Sequence, residues 1–373
     1  MSDHVLHVLY EPRLSGIGRH VLEVVRALPE WRHTVVFPAQ LAGLAEELEE
    51  AGARPEPLRL SSRVLPPAAL IRLPWLLRRR APDLVHLHAL EAGLFGSLAG
   101  ALGGARAVVF GPQTLESRQR LLLGLYWRAL RAMARRHAVW LGASAGHARA
   151  LRARAPRGVR VHLVPNAPPR LGPLPAPDAA RARLGWPAEG PAVAAVVRLC
   201  AQKDPLTFVR AARRNPGVFH ALIGDGPLRR AVEREARGLA NLRLHGALAE
   251  LEPVYAGSDV IAQATRWEGM SLVLLSALAA GRAAIASRVD GNTDLVRDGE
   301  TGLLVAPGDA LGLAAAAARL ASDPALRARL GAAGRRLVAA EYSAARAADA
   351  LRAAYADALA GPQPRLASDR DPG

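Results

Sequence analysis

The chain has 373 residues, 50% hydrophobic and 22% charged, so its length and composition suit two α/β domains and exclude wholesale disorder. The longest uncharged apolar run, residues 92–105, is shorter than the roughly 20 residues that a membrane-spanning helix needs. The net charge of +16 favours an anionic partner, but aromatic residues make up only 4% and are not interleaved with the arginines, which argues against a base-stacking nucleic-acid surface.

Short apolar segments alternate with longer helical patterns through the first half, as in parallel sheets built from βαβ units. Helices are predicted at residues 18–28 and 92–102, and a proline-rich linker at residues 167–177 sets the end of a first domain, residues 1–170. The predicted strands are residues 5–9, 34–37, 84–88, 107–110, 138–142 and 160–164.

The alternation resumes after the linker and predicts a second domain at residues 171–340, followed by a C-terminal helix at 341–360 that packs on the first domain and a disordered tail at 361–373. Two doubly wound domains in tandem predict a ligand-binding cleft between the carboxyl ends of their sheets. The predicted strands are residues 192–197, 218–223, 242–244, 259–263, 283–286 and 303–305, and the helices 205–213, 227–237, 271–280 and 311–321.

One lysine stands out against the composition. Of the 49 basic residues 48 are arginine, and Lys203 is the exception, which indicates a place where a compact ammonium is needed. Arg198 ends a predicted strand five residues earlier, and two cations between a strand end and a helix start can clamp a diphosphate. The alternative is a solvated pair of charges beside a loop.

Three glycine-containing turns follow predicted strands. Gly16 and Gly18 open the first helix and can bring backbone N–H groups close to a phosphate, although a tight turn without a ligand explains them equally well. Asp225 is predicted to cap a helix that begins at Pro227. In Trp-Glu-Gly-Met, Glu268 can accept hydrogen bonds from sugar hydroxyls beside the N-terminus of the next helix.

The segments Val-Arg-Leu, Gln-Lys-Asp, Gly-Asp-Gly-Pro, Trp-Glu-Gly-Met and Asp-Gly-Glu-Thr-Gly, in this order, resemble the motifs of the retaining glycosyltransferases of family 4. The resemblance extends to about Leu359 and is most specific from Val193 to Asp309. It implies the GT-B fold, two Rossmann-like α/β domains facing a cleft, in which the first domain receives the acceptor. The second holds a nucleoside diphosphate sugar as co-substrate, with no catalytic metal and no other cofactor.

The resemblance also implies roles for individual residues. Arg198 and Lys203 would hold the donor diphosphate, and Glu268 would bind the transferred sugar. The glycines of the first domain would approach the diphosphate from the opposite side. The implied donor site comprises Gly16, Gly18, Arg198, Lys203, Asp225, Glu268, Gly269, Met270, Ser271, Leu272 and Ser276.

Two positions depart from the family pattern. Ser276 stands where the family has a second glutamate for the donor ribose, and Gln113 stands where many members have a histidine near the donor. His88, at the end of the preceding strand, is a candidate to line the site in place of that histidine, and a purely structural role is the alternative. Ser276→Glu is expected to tighten nucleotide binding about tenfold, unless the pocket is adapted to serine and the new carboxylate is buried without a partner.

The basic residues concentrate in the first half, where residues 1–172 contain 24 arginines and 12 acidic residues. A helix predicted at residues 118–136 and the segment Trp75 to Arg80 both suit an anionic lipid surface, and a solvated basic face is the alternative. No signal peptide pattern is present at Met1, so the protein is expected in the cytoplasm, with peripheral association at the inner face of the membrane as an open alternative.

The resemblance therefore implies a glycosyltransferase that moves a sugar, with retention, from a nucleoside diphosphate sugar to a hydroxyl of a glycan or lipid-linked acceptor. The alternative hypothesis is a catalytically impaired protein of the same fold that serves as a binding or partner subunit, as suggested by Ser276 and Gln113 together.

Overall fold

The computed structural model describes residues 3–9, 16–41, 43–58, 67–88, 92, 105–112, 128 and 139–361. The chain forms two compact units, one of residues 1–165 with 344–373 and one of residues 166–343. The division therefore falls between Pro165 and Asn166, earlier than the boundary after residue 170 that the sequence predicts. The linker associates with the second unit, where the Gly172 amide donates to Glu252 Oε1 at 2.9 Å.

The first unit contains a parallel sheet of seven strands in the order β3-β2-β1-β4-β5-β6-β7. All its strand pairs are parallel, as the alternation of short apolar and helical segments predicts. The strands are β1 (His4–Val8), β2 (Arg32–Pro38), β3 (Ala53–Leu58), β4 (Leu84–Leu87), β5 (Ala107–Phe110), β6 (Val139–Gly142) and β7 (Arg160–Leu163).

Helices cover both faces of this sheet. On one face, Leu77 and Leu151 pack with Val85 and Trp140. On the other face, side chains of the first and last helices, such as Leu351, pack against the strands. The described helices are α1 (Gly16–Ala27), α2 (Gly43–Glu50), α3 (Pro67–Arg80), α4 (Ala145–Arg152) and the C-terminal α13 (Ala344–Ala360).

Strand β3 is absent from the sequence prediction. Its sequence, Ala-Arg-Pro-Glu-Pro-Leu, lacks the apolar alternation of a strand and contains two prolines. It lies at the edge of the sheet, where a proline can face solvent without breaking a ladder between two strands. The predicted helices at 92–102 and 118–136 lie outside the described residues, apart from Ala92 and Arg128.

The second unit contains a parallel sheet of six strands in the order β10-β9-β8-β11-β12-β13, and each of its six predicted strands is confirmed. The strands are β8 (Ala192–Val196), β9 (Phe219–Ile223), β10 (Leu242–Leu244), β11 (Val260–Gln263), β12 (Ala283–Ser287) and β13 (Leu303–Val305). The helices are α5 (Pro177–Leu184), α6 (Pro205–Arg214), α7 (Arg229–Glu235), α8 (Glu252–Gly257), α9 (Leu272–Ala279), α10 (Asn292–Leu295), α11 (Ala310–Ser322) and α12 (Pro324–Glu341).

Each sheet has a point where the strand order reverses. In the first unit this point lies between β1 and β4, and in the second between β8 and β11. The loops that leave two such neighbouring strands diverge to opposite faces, which opens a crevice at the carboxyl edge of the sheet where ligands of doubly wound folds bind. None of the described helices combines the length and the apolar character needed to cross a bilayer.

Candidate functional site

Two residues singled out from the sequence meet at the carboxyl edge of the second sheet. Lys203 follows β8 and Glu268 follows β11, and the Lys203 ammonium donates to Glu268 Oε2 in an ion pair. The two side chains are 21% and 8% exposed, so the pair is largely removed from water while the ammonium keeps some access to it. The structure therefore places a cation and a carboxylate together at the strand-order reversal.

One backbone and one side-chain hydrogen bond join the two loops that carry this pair. The Arg266 amide donates to the Gln202 carbonyl at 2.8 Å, and Gln202 Nε2 donates to the Trp267 carbonyl at 3.2 Å. Because Gln202 precedes the lysine and Trp267 precedes the glutamate, these bonds hold the two loops together directly beside the charged pair.

Asp204 holds the lysine loop in an unusual conformation. Its φ of 40° lies in the left-handed region, which residues other than glycine adopt at a cost in free energy. Its carboxylate compensates by accepting a hydrogen bond from the Thr207 hydroxyl at 2.8 Å and by pairing with Arg266 at 2.9 Å. Backbone strain that surrounding contacts maintain is found at functional sites, and here the strained residue directly follows Lys203.

Arg198 lies on the same edge, on the segment that packs against the Gly-Asp-Gly turn after β9. The side chain of Arg198 is exposed. A Cβ on Gly224 would lie 1.9 Å from the Val197 carbonyl oxygen, and one on Gly226 would lie 2.5 Å from the Leu199 carbonyl oxygen. Both glycines are therefore required for the close backbone approach that sets the path of the chain through Arg198.

The prediction that Asp225 caps a helix beginning at Pro227 is wrong. Helix α7 begins at Arg229 with Leu228 as its N-cap residue and without a side-chain cap. The Leu228 amide instead donates to the Leu199 carbonyl at 2.9 Å, so the chain must cross to the neighbouring segment before the helix can start. The Asp225 carboxylate stays local and accepts from the Gly226 amide at 2.7 Å.

Helix α9 starts beside Glu268. Ser271 is its N-cap, and its hydroxyl accepts from the Leu274 amide at 3.3 Å. Met270 is buried, and the first N–H groups of the helix, from Leu272 onward, have no carbonyl partner within the helix, as at any helix N-terminus. The Gly269 amide donates to Glu268 Oε1 at 3.2 Å, which fixes the glutamate against the helix start.

The structure adds residues to this site that sequence reasoning missed. Gly291, after β12, has φ 82°, and a Cβ there would lie 2.2 Å from the Gly269 carbonyl oxygen. The buried Asn292 side chain donates to Thr265 Oγ1 and to the Ser287 carbonyl, both at 3.1 Å, and so joins two strand ends. The signal in the sequence was a Gly-Asn pair after a predicted strand. The pattern does not show which strands are neighbours, so it could not connect this pair with Glu268.

Ser276 is buried within the unit, with 3% of its surface exposed. It lies close to the hydroxyl of Tyr255, whose pKa is raised by burial while the Ser276 hydroxyl opposes that rise. The sequence left two alternatives open for this position. The buried environment favours the second, a pocket that is adapted to serine.

We expect Ser276→Glu to lower the free energy of unfolding by several kcal/mol near pH 7, because the carboxylate would be buried without a cationic partner. The loss should grow as pH rises above about 4.3, the pKa of glutamate in the unfolded chain, because ionisation then favours unfolding. Thermal unfolding from pH 4.5 to 8 measures it. The control is Ser276→Gln, because glutamine is similar in size to glutamate and uncharged; its stability should show no such pH dependence. Tighter nucleotide binding by Ser276→Glu would contradict the expectation.

In the first unit, the structure places three of the four predicted residues. Gly16 is the first residue of α1 and is exposed, Gly18 is buried one position after Ile17, and His88 directly follows β4 and is buried. These residues flank the strand-order reversal of the first sheet. Gln113 lies outside the described residues.

Two family models match the chain in tandem. Residues 14–168 match the model described as Glycosyltransferase Family 4, and residues 191–323 match the model described as Glycosyl transferases group 1. The segments that carry Arg198, Lys203 and Glu268 lie within the second match.

Curated relatives and solved structures agree with these matches. A lipopolysaccharide core biosynthesis glycosyltransferase LpsE of Rhizobium meliloti is 33% identical over 48% of this chain, which spans only about half, 53%, of that protein. A UDP-Gal:alpha-D-GlcNAc-diphosphoundecaprenol alpha-1,3-galactosyltransferase of Escherichia coli is 26% identical over 86% of this chain and 89% of that protein. The structure of Anabaena Alr3699/HepE with UDP-glucose superimposes with a TM-score of 0.82 at 16% identity, covering 95% of this chain and 99% of that one. The predicted GT-B fold class is thereby confirmed.

Proposed function

This chain belongs to the glycosyltransferases of family 4, also described as group 1, and on that premise we propose that it transfers a sugar from a nucleoside diphosphate sugar to an acceptor hydroxyl with retention of configuration. The observation that carries the proposal is the ion pair between Lys203 and Glu268 at the strand-order reversal of the second sheet. In this pair a cation of the kind that binds phosphate and a carboxylate of the kind that binds sugar hydroxyls are side by side.

The donor diphosphate would lie against Arg198 and Lys203. In the ligand-free protein the ammonium is held by Glu268, and a diphosphate carries more negative charge than this carboxylate, so it can take the ammonium over. Glu268 would then be free to accept hydrogen bonds from the sugar, while Gly269 and the N-terminal amides of α9 contact sugar and phosphate oxygens. We further propose that Gly16 and Gly18 form a phosphate-binding turn at the start of α1, because the N-terminus of that helix carries partial positive charge.

In the proposed reaction the leaving diphosphate accepts the proton of the acceptor hydroxyl as that oxygen attacks the anomeric carbon from the same side. Negative charge grows on the diphosphate as the glycosidic bond breaks, and Arg198 and Lys203 stabilise it. These cations and the helix N-terminus supply the positive charge that a divalent ion supplies in other transferases. We therefore propose no metal and no further cofactor, and expect transfer to persist in EDTA.

A lipid-linked acceptor is the class we favour, because the name of the Escherichia coli relative specifies a diphosphoundecaprenol-linked acceptor and that relative aligns along most of this chain. The same name makes UDP-galactose and N-acetylglucosaminyl diphosphate lipid the first substrates to assay.

Helix α3 offers a surface for an anionic membrane that would hold such an acceptor. Its buried side faces the sheet through residues such as Leu77, while Ile71 is 73% exposed and Trp75 is 56% exposed one turn later. Arg79 lies over the Trp75 ring at 5.2 Å, and Arg72 and Arg78 are exposed on the same helix. An apolar tip bordered by arginines is typical of helices that insert shallowly among anionic headgroups.

The double variant Ile71→Ser/Trp75→Ser is expected to bind vesicles of phosphatidylglycerol and phosphatidylcholine at least about tenfold more weakly, because two large apolar side chains no longer enter the lipid. Vesicle sedimentation measures the affinity. The matched control is Leu311→Ser, which removes a side chain that is 65% exposed on α11 of the second unit and should leave binding unchanged. Equal effects of the two variants would contradict docking through α3.

Thermal shift with a panel of nucleoside diphosphates, followed by transfer assays with the best one, tests the proposed function. A ligand that binds only the folded protein raises the free energy of unfolding by RT ln(1 + [L]/Kd). We expect one nucleotide to raise Tm clearly and its sugar conjugate to be turned over. Binding without turnover for every conjugate would favour the impaired partner-subunit hypothesis, and a flat response to all nucleotides would overturn the donor-site assignment.

A further inference from the structure

Three buried imidazoles form a hydrogen-bonded line across the first sheet. His33 on β2 contacts the Leu28 carbonyl through Nε2 at 2.8 Å, and its Nδ1 lies 3.0 Å from Nε2 of His7 on β1. His7 Nδ1 in turn lies 2.9 Å from Nε2 of His88, which directly follows β4. All three side chains are buried, His33 at 5% exposure and the other two at 0%.

Burial keeps these rings neutral. It lowers the pKa of His33, and it lowers the pKa values of His7 and His88 well below the usual range for histidine, with neighbouring histidines adding to the effect. Among the described residues, two further imidazoles face His88, and burial lowers the pKa of each: the His86 ring is tilted by 35° with its centroid 3.8 Å away, and the His20 ring meets it edge-on at 5.7 Å. His86 is held by the Tyr355 hydroxyl at 2.8 Å.

The backbone carbonyl at the end of the line sets the tautomer of every ring. A carbonyl oxygen only accepts, so His33 must carry its proton on Nε2, which leaves Nδ1 as an acceptor. His7 must then donate from Nε2 and accept at Nδ1, and His88 must donate from Nε2. Nδ1 of His88 is therefore left with a bare lone pair.

That lone pair has no donor among the residues that the structure describes, although the atom is buried. An unpaired buried acceptor costs free energy that a bound donor group can recover. The atom also lies at the strand-order reversal of the first sheet, where β1 and β4 are neighbours and where doubly wound folds bind ligands.

We propose that Nδ1 of His88 accepts a hydrogen bond from a hydroxyl of the sugar acceptor, and that His7 and His33 are positioning residues that keep this atom unprotonated. This proposal rests on the proposed glycosyltransferase function. It adds to that function the atom that binds a hydroxyl of the acceptor. The acceptor must uncover the atom on binding, since no part of it is exposed in the ligand-free chain.

The tautomer is tested first and without any substrate. Two-bond proton–nitrogen correlation spectra of protein labelled with nitrogen-15 histidine, assigned with His88→Asn, distinguish the two ring nitrogens. We expect His88 to carry its proton on Nε2 alone. A proton on Nδ1 would overturn the proposal even if transfer activity is present, whereas loss of the proposed function would leave this spectrum unaffected.

Acceptor kinetics with N-acetylglucosaminyl diphosphate lipid then test the contact. His88→Phe is expected to raise the acceptor KM about fivefold to tenfold, the effect of one lost hydrogen bond, with kcat changed much less. His88→Asn, whose Oδ1 occupies the position of Nδ1, should recover part of that affinity. His33→Leu should raise the acceptor KM and leave His88 as a mixture of its two tautomers. If His33→Leu does not fold, the wild-type spectrum and the comparison of His88→Asn with His88→Phe still test the proposal.

The matched control is His4→Gln, because His4 is also a buried histidine of β1 but bonds to the Thr34 hydroxyl instead of the line. It should leave both the His88 spectrum and the acceptor KM unchanged. An unchanged KM in His88→Phe would overturn the proposal, as would a change in His4→Gln as large as that in His88→Phe.

Discussion

Lys203→Ala is expected to lower the rate of sugar transfer by about 100-fold or more, because the ammonium stabilises charge that grows on the diphosphate as the glycosidic bond breaks. The variant should remain folded, although Glu268, at 8% side-chain exposure, loses its partner and the free energy of unfolding falls by about 1–3 kcal/mol. Steady-state transfer rates together with urea unfolding separate the two effects. Arg198→Ala is expected to cause a rate loss of similar size with a smaller loss of stability, because its side chain is exposed.

Arg210→Ala is the matched control, since Arg210 is a half-exposed cation on α6 paired with Glu235 at 3.4 Å. It should leave transfer unchanged. Lys203→Arg should not restore the full rate, because the planar guanidinium is larger than the ammonium that fits against Glu268. Wild-type activity in Lys203→Arg would remove the argument from the single lysine of the chain.

Gly224→Ala is expected to lower the free energy of unfolding by about 3 kcal/mol or more. The new Cβ would lie 1.9 Å from the Val197 carbonyl oxygen at a φ of 134°, so the backbone itself must move. Any protein that still folds should also transfer sugar more slowly, since the displaced segment leads into Arg198. Equilibrium urea unfolding and transfer assays measure the two losses.

Gly190→Ala separates the collision from backbone strain. Gly190 also has a positive φ, 84°, but a Cβ there has no atom within 4 Å. This control should lose only about 1–2 kcal/mol, the cost of a left-handed conformation for an L residue. If both variants lose the same amount, contact with the Val197 carbonyl is not the reason for the glycine.

Local sequence was sufficient wherever a property depends on neighbours along the chain. The alternation of apolar runs and helical periods predicts the parallel sheets, because strand and helix periods differ and parallel neighbours need a crossover between them. Lys203 stands out by composition alone, and Glu268 by its place after a strand and before a helix. Strand β3 was not predicted, because its two prolines are tolerated only at the edge of a sheet and the sequence does not show which strand lies at the edge.

Tertiary structure decided whatever depends on which strands are neighbours. The residues of the Lys203–Glu268 ion pair are 65 positions apart and meet because β8 and β11 are adjacent. Asp225 is not a helix cap, because the Leu228 amide reaches the Leu199 carbonyl first. The tautomer of His88 depends on a carbonyl at Leu28, two rings away. Sequence patterns report the periodicity of each segment, whereas these contacts depend on strand order and register, which are set by how the whole sheet packs.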